Sequence, residues 1–265
     1  MKKQKHVKKI ENYDKKVQND EKVQHVYLIG AKSLGAYGGY ETFVYKLTEY
    51  HQNEKKIKYH VACKANGDGS MDEKKLVGAT IINSHEFVFH GAQCFKISVP
   101  KIGPAQAIYY DAAALNKCCK DIKKNNISNP IVYIMACRIG PLASYFYKKI
   151  HKLGGKVYLN PDGHEWLRAK WSAPVRKYWK ISEQLMVKYC DLVICDSINI
   201  EKYIHECYNG KGINGKNPTT TFIAYGADLT PSKLSDDAEE LVKWYKEKNL
   251  SKNNYYLVVG RFVPE

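Results

Sequence analysis

Short apolar runs alternate along this chain with amphipathic stretches whose apolar residues recur every three or four positions. Residues 23–29 form such a run and end at Gly30, which predicts a strand followed by a glycine-rich loop. Over 41–51, Phe43, Val44, Leu47 and Tyr50 fall at helical spacing and predict a helix. The same reading gives a strand over 58–63, a loop over 65–70, and short β-like pieces over 80–82, 87–90 and 94–99. Pro104 leads into a helix over 107–124. A strand over 131–136 precedes the loop 138–141 and a helix reaching residue 151. Strands over 156–160, 191–195 and 220–225 then alternate with helices over 175–189 and 198–208. Strands of a fully buried type, alternating with helices, predict an α/β fold: a Rossmann-like parallel sheet with helices on both faces.

Past residue 228 the pattern changes. Residues 228–250 read as a linker and one helix, with Leu241, Val242, Trp244 and Tyr245 as its apolar stripe. Residues 255–259 then predict a fresh strand ending in Gly260-Arg261. A lone strand cannot bury both of its faces, so a second Rossmann-like domain is expected to begin here and to be incomplete. The expected organisation is a disordered basic leader over 1–22, a Rossmann-like domain over 23–228, and a linker helix with one strand over 229–265.

Composition refines this picture without changing it. Hydrophobic residues make up 44% and charged residues 26% of 265 positions, a globular balance rather than a disordered one. The net charge of +15 is either a solvated basic surface or an attraction to anions. Acidic lipid headgroups and phosphorylated substrates fit that charge. Nucleic acid is not expected, since no helix-turn-helix, zinc-finger or RNP-type pattern is present. The eight cysteines include adjacent Cys118 and Cys119 but no C-x-x-C pair, so neither a disulfide framework nor a zinc site is expected. Reduced thiols suit a cytoplasmic protein. The leader lacks the apolar stretch of a signal peptide, and no run approaches the ~20 apolar residues of a membrane span.

Candidate chemistry gathers where strands end. The loop Gly30-Ala31-Lys32-Ser33-Leu34-Gly35-Ala36-Tyr37-Gly38-Gly39-Tyr40-Glu41 could bring backbone N–H groups to an anion at the start of a helix. Its glycines also suit a plain strand-to-helix turn. Lys32 replaces the middle glycine of a dinucleotide fingerprint, and Cys63-Lys64 stands where an acidic ribose partner would be. Neither an NAD site nor a Walker A loop is therefore expected. After the 156–160 strand comes a dense polar loop, with Asp162, His164, Glu165, Arg168 and Lys170 among Trp166 and Trp171. Tryptophans stack on sugar faces and carboxylates accept from sugar hydroxyls. The alternative is a helix cap at Asp162 with ordinary ion pairs beyond it. Arg138 is a further candidate. Asp196 or Ser197 suits a helix cap, and Gly226 with Asp228 suits a turn.

Four segments occur in series: Ala36-Tyr37-Gly38-Gly39-Tyr40-Glu41, residues 162–171, Ala224-Tyr225-Gly226-Ala227-Asp228, and the terminal Val259-Gly260-Arg261-Phe262-Val263-Pro264-Glu265. Together they resemble the bacterial rhamnosyltransferase-type branch of glycosyltransferase family 4. The resemblance spans about residues 23–265. It implies the N-terminal half of a GT-B fold, two Rossmann-like domains across a cleft, with no required metal and no cofactor. It implies retaining transfer of a sugar, L-rhamnose from dTDP-rhamnose, onto a lipid-linked saccharide in cell-surface polysaccharide synthesis. The setting it implies is the cytoplasm, with peripheral contact at the anionic inner face of the plasma membrane.

By the same resemblance Gly38, Gly39 and Arg261 meet the donor diphosphate, and Asp162 sits near the transferred sugar as the catalytic candidate. Many members carry histidine at the position matched to Asp162. Acceptor-side contacts are then expected from Tyr37, Glu41, Arg138, His164, Glu165, Trp166, Arg168 and Lys170. The glutamates that bind the donor's sugar and ribose in such enzymes belong to the other half, so these 265 residues are expected to be inactive alone. The alternative is a non-catalytic relic that binds glycan or membrane.

Overall fold

A computed structural model describes residues 23–227 and 229–258. The expected leader over 1–22, the turn residue Asp228 and the terminal segment 259–265 lie outside the described residues. The predicted alternation becomes nine strands and six helices among them. These are β1 Gln24–Ile29, α1 Gly39–Tyr50, β2 Ile57–Lys64, β3 Thr80–Asn83, β4 Glu86–Phe89, β5 Ala92–Ile97, α2 Gln106–Lys124, β6 Ile131–Met135 and α3 Gly140–Lys152. There follow β7 Lys156–Asn160, α4 Ala173–Tyr189, β8 Leu192–Cys195, α5 Ile198–Tyr208, β9 Thr220–Phe222 and α6 Glu239–Glu247.

The strands form one sheet in the order β3-β4-β5-β2-β1-β6-β7-β8-β9. From β5 to β9 every neighbour is parallel. The β3–β4 and β4–β5 pairs are antiparallel, which corrects the expectation of a wholly parallel sheet. The reason is connection length: only two residues join each of these strands to the next, too few for a parallel crossover. His90 and Gly91, with φ of 48° and 70°, make the left-handed turn that a tight hairpin needs.

Side chains alternate across the sheet as strand geometry requires. Tyr27, Ile29, Val132 and Ile134 face one core, shared with α2, α3, α4 and α5. Leu28, Tyr133 and Met135 face the other, where Val44 of α1 packs. Helices thus cover both faces, as expected. Gly140 lets α3 lie directly on α4: a Cβ there would stand 2.2 Å from Ser182 Cα. Ser182 Oγ receives the Gly140 N–H at 2.7 Å and donates to the Cys137 carbonyl at 2.6 Å, closing that junction.

Two other expectations are corrected at the far end. The last strand of the domain is β9, three residues rather than 220–225, because β8, its parallel neighbour, is only four residues long. Residues 255–258 carry no strand pairing, since among the described residues no strand lies beside them. Helix α6 forms where the apolar stripe predicts, yet none of its residues is buried. Its Trp244 and Tyr245 instead pack with Tyr255.

Candidate functional site

The carboxyl ends of β1, β2, β6 and β7 open into one cleft of about 730 Å³. The chain leaves β1 toward β2 on one side, while β6 pairs with β1 on the other. Loops after neighbouring strands diverge at such a switch point and leave a crevice. Gly30 closes β1 there with φ 124°, and a Cβ on it would stand 2.4 Å from the Met135 carbonyl oxygen. Only glycine lets β1 and β6 end this close together.

The cleft gathers most of the residues expected from sequence. Tyr37, Gly38, Glu41, Arg138, Asp162, Glu165, Arg168 and Lys170 line it. Gly39, His164 and Trp166 do not, and Arg261 lies outside the described residues. His164 packs on Tyr203 with ring centroids 4.0 Å apart. Trp166 donates from Nε1 to the Tyr203 hydroxyl at 3.2 Å, and its ring carries the Lys180 ammonium at 4.1 Å. These two support the loop from behind.

Asp162 lies at the cleft edge with φ 63°, its N–H held by Asn160 Oδ1 at 2.8 Å. Its carboxyl caps no helix: the short 3-10 turn Glu165–Leu167 and helix α4 both start without a capping side chain. Burial pushes its pKa up, and Arg138 opposes that rise. Ala136 and His164 also have positive φ, at 70° and 44°. Of these, Ala136 and Asp162 line the cleft, and Ala136, whose side chain has no polar group to favour the left-handed region, is the strained one.

Beside Asp162, the buried Tyr40 hydroxyl bears on its carboxyl and, with Arg138, opposes the upward push of burial. Glu41 turns back over Gly38, where a Cβ would stand 2.0 Å from its Oε2, and accepts the Lys32 N–H at 2.9 Å. An anion meeting the start of α1 would therefore share it with this carboxylate.

Arg138 is fixed rather than free. Its Nη1 donates to the Gly30 carbonyl at 3.1 Å and to both oxygens of Asp111, at 3.2 and 3.3 Å. Asp111 is fully buried on α2. Burial pushes its carboxyl up while Arg138 holds it back. The guanidinium remains charged, held above its ordinary value by Asp111 and Tyr40 against the cost of burial. The pair ties the end of β1, the β6–α3 loop and α2 together under the cleft.

Glu165 organises the polar loop. It accepts from Arg168 Nη1 at 2.9 Å and Trp171 Nε1 at 2.8 Å, and Lys170 Nζ lies 3.3 Å away. The expected sugar-binding residues thus also pair with one another. Ser197 caps α5, accepting the Asn199 N–H at 3.2 Å, which bears out the simpler reading of that motif.

Sequence reasoning missed Lys64, Asp68, Gln106, Tyr110 and Glu183, all of which line the cleft. Glu183 is buried and accepts from the hydroxyls of Tyr203 and Tyr208. A signal existed for Glu183 and Asp111: each is an acid on the buried stripe of a helix, four residues before Val187 and Leu115. Nothing local marked the others. Among the described residues no group of three or more histidine, cysteine or carboxylate side chains is placed to hold a metal ion. None of the helices there is long and apolar enough to cross a membrane.

The family described as "Domain of unknown function (DUF1972)" matches residues 23–228. Among solved structures, a sucrose-phosphate synthase from Thermosynechococcus elongatus superposes with a TM-score of 0.51 at 13% identity, over 86% of this chain and 53% of that one. A structure titled trehalose-6-phosphate from E. coli, bound with UDP-2-fluoro glucose, gives 0.45 at 10% identity, over 85% and 55%. Arabidopsis thaliana UGT89C1 complexed with UDP-L-rhamnose gives 0.44 at 11%, again over 85% and 55%. The first likeness shows the fold, that of GT-B N-terminal domains, and nothing more. The two scores below 0.5 add nothing to it. This chain spans about half the length of those structures. No curated protein matches the sequence.

Proposed function

The chain belongs to the DUF1972 family, and on that premise we propose that it is the acceptor-side half of a glycosyltransferase that uses a nucleotide sugar. The donor in this reading is dTDP-L-rhamnose, transferred with retention to a lipid-linked saccharide. One observation carries it: Asp162 and Gly38, which immediately precedes α1, line the same cleft, at the sheet's switch point. A diphosphate leaving group develops negative charge as the glycosidic bond breaks. Backbone N–H groups at a helix start can stabilise that charge without a metal. The Asp162 carboxylate is suited to the positive charge that develops on the sugar. Trp171 and Lys170 at the rim suit a saccharide acceptor. In this reading the nucleotide is held from the opposite wall of the cleft by a second Rossmann-like half. The charge of +15 supports work at an anionic membrane face in the cytoplasm.

The test is transfer by a protein carrying this chain together with a nucleotide-binding half. It is incubated with dTDP-rhamnose and other nucleotide sugars, and with lipid-diphosphate saccharides, and products are read by mass spectrometry. A saccharide one sugar heavier is expected from at least one pair. No product from any pair, with saccharide still bound, would leave the non-catalytic binding reading standing instead.

A further inference from the structure

Two lysines and an exposed aspartate sit at one end of the cleft, away from the chemistry assigned to Asp162. Lys32 Nζ pairs with Asp68 Oδ2 at 3.0 Å, and Lys64 Nζ donates to the Asp68 carbonyl at 2.8 Å. Lys64 is only 6% exposed, whereas the Asp68 side chain is 93% exposed. Asp68 stands between Gly67 and Gly69, both at positive φ, on a loop closed by the Ser70 N–H to the Gly67 carbonyl at 3.1 Å. The glycines let that loop lie flat on the lysines. A Cβ on Gly67 would stand 3.6 Å from Lys64 Nζ and 3.9 Å from Gln106 Oε1, and one on Gly69 would stand 3.6 Å from Lys32 Nζ.

The chain thus keeps a buried ammonium and a half-exposed one under a loop whose carboxylate is almost wholly in water. Helix α2 lies beside them, entered from the 3-10 turn Gly103–Ala105, and Gln106 and Ala107 line the same cleft. Two full positive charges are met here by the one carboxylate of Asp68. Lys64 feels the excess, its pKa lowered by burial and then by Lys32.

We propose that this corner of the cleft binds a phosphate group of the acceptor, with Asp68 as the chain's own stand-in that the phosphate displaces. The proposal rests on the glycosyltransferase reading only for the word acceptor. A carboxylate would merely replace Asp68 charge for charge. A dianionic phosphate satisfies both ammonium groups at once. Asp68 then moves into the solvent that already surrounds it.

The experiment is titration of the chain with inorganic phosphate and methyl phosphate, and separately with dTDP and UDP, followed by amide NMR shifts and calorimetry. Lys32→Gln and Lys64→Gln should each weaken phosphate and methyl phosphate about tenfold, as loss of a charge-assisted bond does. Asp68→Asn should tighten both several-fold by removing the competing carboxylate. Lys32 and Asp68 are exposed enough that their variants keep the fold even where Lys64→Gln does not. A purely structural Lys32–Asp68 bridge predicts the opposite for Asp68→Asn, and weaker binding there overturns the proposal. So does a loss confined to dTDP and UDP in the lysine variants, which would assign the corner to the donor. Phosphate binding without any sugar transfer sustains this site while the glycosyltransferase reading fails. Transfer with no effect of the three variants does the reverse.

Discussion

Replacing Asp111 by leucine removes the carboxylate that, among the described residues, is bonded to Arg138 in the floor of the cleft. The guanidinium cannot leave: it is held at the Gly30 carbonyl, and its side chain is only 17% exposed. Breaking a buried ion pair by removing one partner costs about 3–5 kcal/mol, because the remaining charge is stranded away from water. For a domain of this size about 2–4 °C of midpoint is lost per kcal/mol, so Asp111→Leu should melt roughly 6–20 °C lower. The Arg138→Met variant leaves Asp111 buried without its partner, where burial drives it to the neutral acid, and should cost less than Asp111→Leu. The double variant should recover most of the loss, since no charge is then left buried. The assay is urea unfolding of all four proteins followed by fluorescence of Trp166, Trp171 and Trp179, which lie in and behind the cleft wall. Additive losses in the double variant, or a cost below about 1 kcal/mol for Asp111→Leu, would refute the claim that this pair holds the cleft floor.

Three further outcomes follow from other parts of the structure. Burial depresses His60 to about 4, so its contribution is present above pH ~6.5 and is lost as pH falls through its folded value, up to about 3 kcal/mol. Urea midpoints at pH 7 and 4.5 should converge in His60→Gln; an unchanged slope would place the pH sensitivity elsewhere, with His25, hydrogen-bonded to it at 2.8 Å, the next residue to change. Gly140→Ala drives a methyl into the Ser182 backbone and should cost about 3 kcal/mol or more, measured by calorimetry, at the upper end of overpacking. Asp162→Asn should lower transfer by about 10²-fold or more with no loss of melting temperature, because burial already works against its charge; a melting loss instead would mark it as structural.

Much of the fold was legible in the sequence, because each element carries its own period. The runs at 23–29, 131–136 and 156–160 and the stripes of α2 and α5 had one secondary-structure reading each. The glycines at 30, 38 and 39 marked where the chain turns at the sheet's carboxyl edge, and Asp162, Glu165 and Arg168 were visible as polar density after a strand. Strand direction was less legible at 80–97, where linker length rather than strand composition decides it. The short β9 and the unpaired 255–258 show the same limit, since a strand exists only where another offers its backbone.

The cleft itself belongs to the tertiary structure. Lys32, Lys64, Asp68 and Gln106 come from two loops, a strand end and a helix start, and only the pairing of β2 beside β1 with α2 across their ends brings them to one place. Local pattern records how each segment meets water, which is a property of the segment alone. Which charges end as partners depends on distances across the sheet, and so do which of them remain to hold a ligand.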